Sequence, residues 1–325
     1  MDKAIAVSAR HVVVDLGDNV FGHPGGRQRS VNPHTEAAIT VRIRRRDLDQ
    51  GDVDRHLAFS AAEHPVALQL GGSEPDELAR CAALGAQYGY DEINLNIGCP
   101  SERVQRGAFG ACLMAEPGLV ARCVRAISDA VAKPVTVKHR VGIDRVEDYS
   151  FVRDFVGTVA DAGCRTFIVH ARNAVLKGLS PKENREIPPL KYHYVYQLKR
   201  DFPELEIVIN GGITTREQIA SQLARVDGVM LGRAAYHDPW VLADEGRTRV
   251  AVVCAMVAYA RRHRDVPLRA IARHMLGLYH GAPHARLWRR MLSDATRLKE
   301  NRPELLLEAL AIAETRGYVE APVSA

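Results

Sequence analysis

A thiol stands where a strand pattern stops. In Ile93-Asn94-Leu95-Asn96-Ile97-Gly98-Cys99-Pro100 apolar residues alternate with two asparagines, and Gly98 and Pro100 then forbid simple continuation as strand or helix. Cys99 is therefore expected at a strand's C-terminal edge, beside a Gly-rich stretch, Arg106 to Gly110, that reads as a mobile loop. A thiol so placed is a candidate proton donor or nucleophile. Polar residues end other strand-like runs as well: Gln69, Lys138, His170, Asn210-Gly211-Gly212 and Gly232-Arg233. The glycine turns would let backbone N–H groups approach a phosphate, with Arg233 adding charge, which implies a phosphorylated cofactor. Lys138 and His170 would face its other end, where a cation or donor stabilises an anionic reduced flavin, and Gln69 would satisfy the polar edge of the same ring. FMN fits, because it has one phosphate and no Gly-x-Gly-x-x-Gly opens any helix.

These residues need a scaffold that brings strand ends together. From Gly51 onward the sequence alternates regularly. Strand Pro65 to Gly71 precedes helix Ser73 to Tyr88, for which Ser73 is the expected N-cap. Strand Ile93 to Asn96 leads to helix Pro117 to Ala132, Val135 to His139 to helix Val146 to Ala162, and Thr166 to His170 to helix Pro189 to Asp201. Strand Glu206 to Asn210 leads to helix Thr215 to Ala224, and Gly228 to Leu231 closes the series. Each strand reads as apolar on both faces, as parallel strands under helices are. Six strand-and-crossover units predict an α/β chain. If residues 1–50 supply two more strands, the fold is a (β/α)8 TIM barrel with its site at the strands' C-terminal ends. A doubly wound open sheet is the alternative. Within residues 1–50, Val12 to Leu16 suits a strand, whereas Val41 to Asp49 mixes apolar residues and arginines without a period.

After Gly232 the composition changes. Asp244 to Arg249 reads as a hinge, with residues 51–243 completing the barrel and 244–325 forming a small all-helical domain of three or four helices. Between Gly246 and Arg302 there are 13 Arg or Lys against three acids, a balance of +10 in a chain whose net charge is +5. A basic module joined to an acidic body suits a polyanionic partner. Arg286, Arg290 and Arg297 recur on one side of this tail. Hydrophobic content of 46% with 26% charged residues suits a globular protein, and no apolar run approaches the roughly 20 residues of a membrane span. No signal peptide is evident, and six cysteines without a Cys-x-x-Cys suggest neither a disulfide framework nor a zinc site. A cytoplasmic monomer that binds no metal is expected.

Several segments together resemble the tRNA-dihydrouridine synthases, most of all their bacterial A subfamily. They are Asn94 to Ser101, Phe109 to Met114, Pro134 to Lys138, His170-Ala171-Arg172, Gly178 to Arg185, Asn210-Gly211-Gly212, His274 to Gly277 and Leu292 to Ala295. The likeness spans about residues 51 to 310. It implies an FMN-containing barrel that takes hydride from NADPH and reduces D-loop uridines of tRNA, at positions 20 and 20a. In the mechanism it implies, reduced flavin gives hydride to C6 of the uracil and Cys99 gives a proton to C5. It further implies that Gln69, Lys138, His170, Asn210, Gly211, Gly212, Gly232 and Arg233 bind FMN, and that Asn96 touches the substrate nucleotide. Lys182 and Arg185 would meet tRNA, together with Arg286, Arg290 and Arg297 of a tRNA-binding helical tail. The target uridine must leave its stack to enter a pocket at the barrel mouth.

Residues 1–50 depart from the pattern. The Ala-Pro-Met that ends the family's first strand and the Thr-Glu-Met near the end of its second are both absent, although the length is kept. Length kept while wording is lost is what a shifted reading frame produces, and weakened FMN binding and exposed sheet edges would follow. Two other functions fit part of the pattern: another FMN-barrel oxidoreductase acting on a small substrate such as dihydroorotate, and a tRNA-binding protein without catalysis.

Overall fold

The computed structural model describes residues 12–14, 39–43, 53–101, 109–146, 148–244 and 246–315. They divide into two compact units that meet in sequence at Gly232 and Arg233, where the composition changes and eleven residues before the boundary expected between residues 243 and 244. The mobile-loop expectation for Arg106 to Gly110 lies largely outside the described residues.

The first unit is a closed barrel of eight parallel strands in sequential order. They are β1 (Val12–Val14), β2 (Ile39–Ile43), β3 (Val66–Leu70), β4 (Glu92–Ile97), β5 (Val135–Ile143), β6 (Thr166–Ala174), β7 (Glu206–Asn210) and β8 (Gly228–Leu231). Residues 1–50 do supply two strands. β1 falls within the stretch expected to form one, whereas β2 lies in sequence that showed no period. β1 pairs with β8 through three residues and with β2 through Val14 and Ile39, which closes the ring. The open sheet and its exposed edges are thereby excluded.

Helices α1 (Val53–Leu57), α2 (Pro75–Gln87), α3 (Pro117–Ala130), α4 (Tyr149–Ala160), α5 (Tyr192–Asp201) and α6 (Arg216–Leu223) connect the strands. Pro75, not Ser73, sets the start of α2. Its fixed φ suits the first helical position, which leaves Glu74 as the N-cap without a side-chain bond. α6 begins with a capping box between Thr215 and Gln218.

Register and strand alternation sort the side chains into two sets. Ile93, Leu95, Val137, Phe167, Val169, Ile207 and Ile209 are fully buried on the helix side. His139 shares their parity and lies against Phe155 of α4 and Phe167. The inward parity carries Gln69 on β3, then Glu92, Asn94 and Asn96 on β4, and Thr136, Lys138 and Arg140 on β5. Ile168, Val208 and Met230 form a separate small apolar cluster on β6 to β8. The strands are thus not apolar on both faces. A barrel interior tolerates polar side chains on one flank when they satisfy one another, and here they do.

The second unit is helical: α7 (Arg233–His237), α8 (Arg249–Arg262), α9 (Leu268–Ala272), α10 (Ala285–Leu292), α11 (Ala295–Lys299) and α12 (Leu305–Ala313). Five segments therefore occupy the tail expected to hold three or four helices, because single-turn pieces break the longer runs. They surround a core that includes Val253, Leu268, Met275, Trp288, Leu306 and Leu310. Trp288 is fully buried and donates its indole N–H to the Met275 carbonyl at 2.8 Å. A Cβ on Gly277 would come within 2.3 Å of the His237 carbonyl oxygen, so only glycine fits there.

Candidate active site

Gln69, Asn96, Cys99, Asn210 and the glycine turns lie at or just past C-terminal strand ends, Lys138 and His170 lie within β5 and β6 level with Asn96 and Asn210, and Lys182 and Arg185 lie in the loop after β6. Gln69 is the penultimate residue of β3, Asn96 that of β4, and Asn210 ends β7. In register, Gln69 pairs with Asn94, Asn96 with Lys138, and His170 with Asn210. Cys99 follows β4 by two residues and is half-buried. Its sulfur lies 3.4 Å from the Ser101 hydroxyl, and its carbonyl accepts from Ala111 N–H at 3.0 Å, which ties together the two ends of the loop.

Three side-chain amides interlock on β3 and β4. Asn96 Nδ2 donates to Gln69 Oε1 at 2.9 Å, Gln69 Nε2 donates to Asn94 Oδ1 at 2.7 Å, and Gly98 N–H donates to Asn96 Oδ1 at 3.0 Å. Each side-chain amide nitrogen keeps a second N–H for another partner.

His170 is partly buried, and its Nδ1, out of contact with solvent, has no hydrogen-bond partner among the described residues. Burial, reinforced by Arg140, Lys138, Arg172 and Arg185, holds its pKa well below the ordinary value, so the ring is neutral. A neutral imidazole with an orphaned nitrogen, set among four cations, suits a polar and electron-rich occupant. The β7 turn fits the same conclusion. Gly211 and Gly212 have φ of +116° and +71°, and a Cβ on Gly211 would sit 3.2 Å from His170 Nε2. Only glycine gives this backbone its approach to the imidazole, and Tyr192 fixes it by donating to the Gly211 carbonyl at 2.5 Å. Asn210 donates its Nδ2 to the Met230 carbonyl at 2.9 Å. Gly232 follows β8, the strand beside β7, while Arg233 opens the one-turn helix α7 of the second unit. The donor set, the orphaned nitrogen and the glycine cradle all fit an FMN-like group.

The sequence reading missed several residues that hold this arrangement. Arg140 is buried. Its Nε donates to the Gly98 carbonyl at 3.0 Å, and one Nη donates to the carbonyls of Asn173 at 2.9 Å and Asn184 at 3.0 Å. No carboxylate pairs with it among the described residues. Desolvation lowers its pKa from 12.5 to about 10. Asn184 is fully buried, takes the Val175 N–H on Oδ1 at 2.7 Å and donates to the carbonyls of Val175 and Leu179 at 2.9 and 3.2 Å. These bonds pin the turn that exposes Lys182 and Arg185. Arg172 braces the same loop by donating to the Pro188 carbonyl. Alternation offered a signal for Arg140, two residues beyond Lys138 on the same face. The expected strand stopped at His139, whereas β5 continues to Ile143 through an irregularity in register between Arg140 and Gly142.

On the second unit Arg286 and Arg290 are exposed on α10 with no ion-pair partner among the described residues. Arg297 is exposed too, but lies 3.7 Å from Asp294 and 3.6 Å from Glu308. Those acids compete for the charge assigned to a polyanion, although exposed pairs of this kind hold by only about 0.2–1 kcal/mol. Neither a cluster of metal-binding side chains nor a helix long and apolar enough to cross a membrane occurs among the described residues.

Comparison with known proteins places this architecture. Residues 34–314 match the family model described as Dihydrouridine synthase (Dus). The match begins inside the N-terminal stretch where the motifs gave no likeness. A Synechocystis protein named tRNA-dihydrouridine(20/20a) synthase is 52% identical over 306 residues, covering 90% of this chain and 91% of its own. Proteins of the same name from Shewanella oneidensis and Escherichia coli K12 are 57% and 56% identical, covering 74% of this chain and 75% and 73% of theirs. The chain belongs to the dihydrouridine synthase family.

Proposed function

We propose that this chain is a tRNA-dihydrouridine(20/20a) synthase, reducing D-loop uridines of tRNA with FMN as cofactor and NADPH as reductant. The observation that supports it best is the convergence of Gln69, Asn96, Cys99, Lys138, His170, Asn210 and the Gly211-Gly212 turn on one end of one barrel. The family membership gives that convergence its chemistry. FMN, when bound, supplies a hydride for C6 of the uracil ring.

The chain's own residues do the rest. Gly211, Gly212 and Gly232 offer backbone N–H groups to the phosphate, with Arg233 next in sequence. Lys138 and the neutral His170, whose imidazole lies against the Gly211 turn, would contact the rest of the group, and Gln69 would give its spare N–H to the ring edge. Asn96 orients the uracil through its own spare N–H. Cys99 delivers a proton to C5 as a general acid and is reprotonated by solvent. Lys182 and Arg185 on the first unit, and Arg286 and Arg290 on the second, take the RNA phosphates, since Arg and Lys supply most sequence-independent affinity. The uridine is flipped out to reach the barrel mouth.

The test is mass spectrometry of dihydrouridine in tRNA from a deletion strain carrying this chain or its Cys99→Ala variant. Product at positions 20 and 20a with the chain, and loss with the variant, is the expected result. Equal product from both removes Cys99 from the mechanism, and absence of product from the chain itself refutes the activity. Purified protein that is colourless near 450 nm yet still shifts tRNA on a gel would favour a binder without catalysis.

A further inference from the structure

A single file of hydrogen bonds runs down the polar flank of the barrel, from the thiol loop to the opposite end. Gly98 N–H donates to Asn96 Oδ1 at 3.0 Å, Asn96 Nδ2 to Gln69 Oε1 at 2.9 Å, and Gln69 Nε2 to Asn94 Oδ1 at 2.7 Å. Asn94 Nδ2 then donates to Thr136 Oγ1 at 2.7 Å, and the Thr136 hydroxyl donates to a carboxylate oxygen of Glu92. All five donors point the same way, toward Glu92. Gln69, Asn94 and Thr136 are each no more than 3% exposed, so solvent does not compete for these bonds.

The direction has a physical origin. Burial raises the pKa of Glu92, but in its ionised form it only accepts, so the Thr136 hydroxyl donates to it and keeps its oxygen to accept from Asn94. Asn94 then presents its Oδ1 to Gln69, which must answer with Nε2, and Gln69 Oε1 in turn selects Nδ2 of Asn96. An amide flip anywhere in the file would set two donors or two acceptors face to face in a buried setting, at about 1–3 kcal/mol for each unsatisfied group. The end of the file thus dictates what its beginning shows.

We propose that Glu92 is a positioning residue that acts through Thr136 and Asn94: it fixes the amide orientation of Gln69 and Asn96, so that both present a spare N–H at the rim. The occupants this selects there carry hydrogen-bond acceptors, such as ring carbonyls or an imine nitrogen, in place of donors. The part of the proposal that concerns occupants rests on the reading of Gln69 and Asn96 as cofactor and substrate contacts. The orientation itself does not.

The experiment separates the two. Protein labelled with 15N-glutamine gives side-chain N–H signals, and Gln69→Leu identifies those of Gln69. The expected result is one sharp pair for Gln69 in the parent protein and in Thr136→Ser, which keeps the hydroxyl. Glu92→Gln, whose terminal amide both donates and accepts, and Thr136→Val, which removes the link, should shift or double that pair. Titration of the apoprotein with FMN should show about ten-fold weaker binding in Thr136→Val, the loss of one hydrogen bond, and parental binding in Thr136→Ser. Identical Gln69 signals in all four proteins would overturn the proposal. If the signals move as expected but Gln69→Leu binds FMN like the parent, the orientation role stands and the assignment of Gln69 to the cofactor fails.

Discussion

Replacing Arg140 by methionine removes the buried guanidinium while keeping much of the side chain's volume. Three carbonyls lose a charged donor: Gly98 at 3.0 Å, Asn173 at 2.9 Å and Asn184 at 3.0 Å. Bonds to charged groups contribute roughly 1.5–3 kcal/mol each, so the three sum to about 5–9 kcal/mol. Against this stands the cost of burying a cation without a carboxylate. The fall in pKa from 12.5 to about 10 corresponds to about 3 kcal/mol that the variant regains. A net destabilisation of about 2–6 kcal/mol follows. Urea denaturation followed by circular dichroism measures it as a lower midpoint. Arg140→Lys should recover little, because one ammonium cannot span three carbonyls set in a fork. A midpoint that is unchanged or raised in Arg140→Met would refute the reasoning, since Gly98, Asn173 and Asn184 would then be content without the guanidinium.

Three further outcomes are expected. His139 is fully buried, and desolvation lowers its pKa from 6.5 to about 4, so between those values the unfolded chain binds a proton that the folded one refuses. Stability should therefore fall by up to about 3 kcal/mol as pH drops from 6.5 to 4, and His139→Gln should flatten that part of a melting-temperature profile against pH. Gly211→Ala forces a side chain into φ of +116° and within 3.2 Å of His170 Nε2, which at about 1–2 kcal/mol of strain should weaken FMN binding to the apoprotein roughly ten-fold; unchanged fluorescence quenching would contradict it. The double variant Arg286→Ala, Arg290→Ala should weaken tRNA binding for all sequences and reduce the slope of log affinity against log salt by about two, which filter binding across a salt series reads directly.

The alternation of the strands made most of the barrel legible before any coordinates. β7 and β8 fall at the expected residues, and β3, β4, β5 and β6 begin within one residue of the expected starts. The rim residues were legible for the same reason, because polar residues at strand ends stand out against apolar runs. β2 was not, since Ile39 to Ile43 has an arginine at position 42 and runs on into an arginine cluster that obscures any period. Arg140 was hidden because β5 and β6 extend past the rim through an irregular register, a tertiary effect with no local signature. Asn184 sits in a loop whose polar composition resembles any solvated turn. Its burial follows from bonds within that loop and from Arg140, contributed by another strand. The inward polar file was spelled out as Glu92, Asn94 and Asn96, yet only Asn96 was given a role, because a strand-end position stands out where its inward neighbours further down the same strand do not.

A barrel lined with amides changes by different rules from one lined with hydrocarbon. On the flank of Ile168, Val208 and Met230, one apolar side chain can be exchanged for another of similar volume with modest consequence. On the flank of Gln69, Asn94 and Thr136, a lone hydrophobic replacement strands its neighbour's donor or acceptor, so those positions are inherited or redesigned as a set. Any attempt to graft a new specificity onto this scaffold has its freedom on one wall and its obligations on the other.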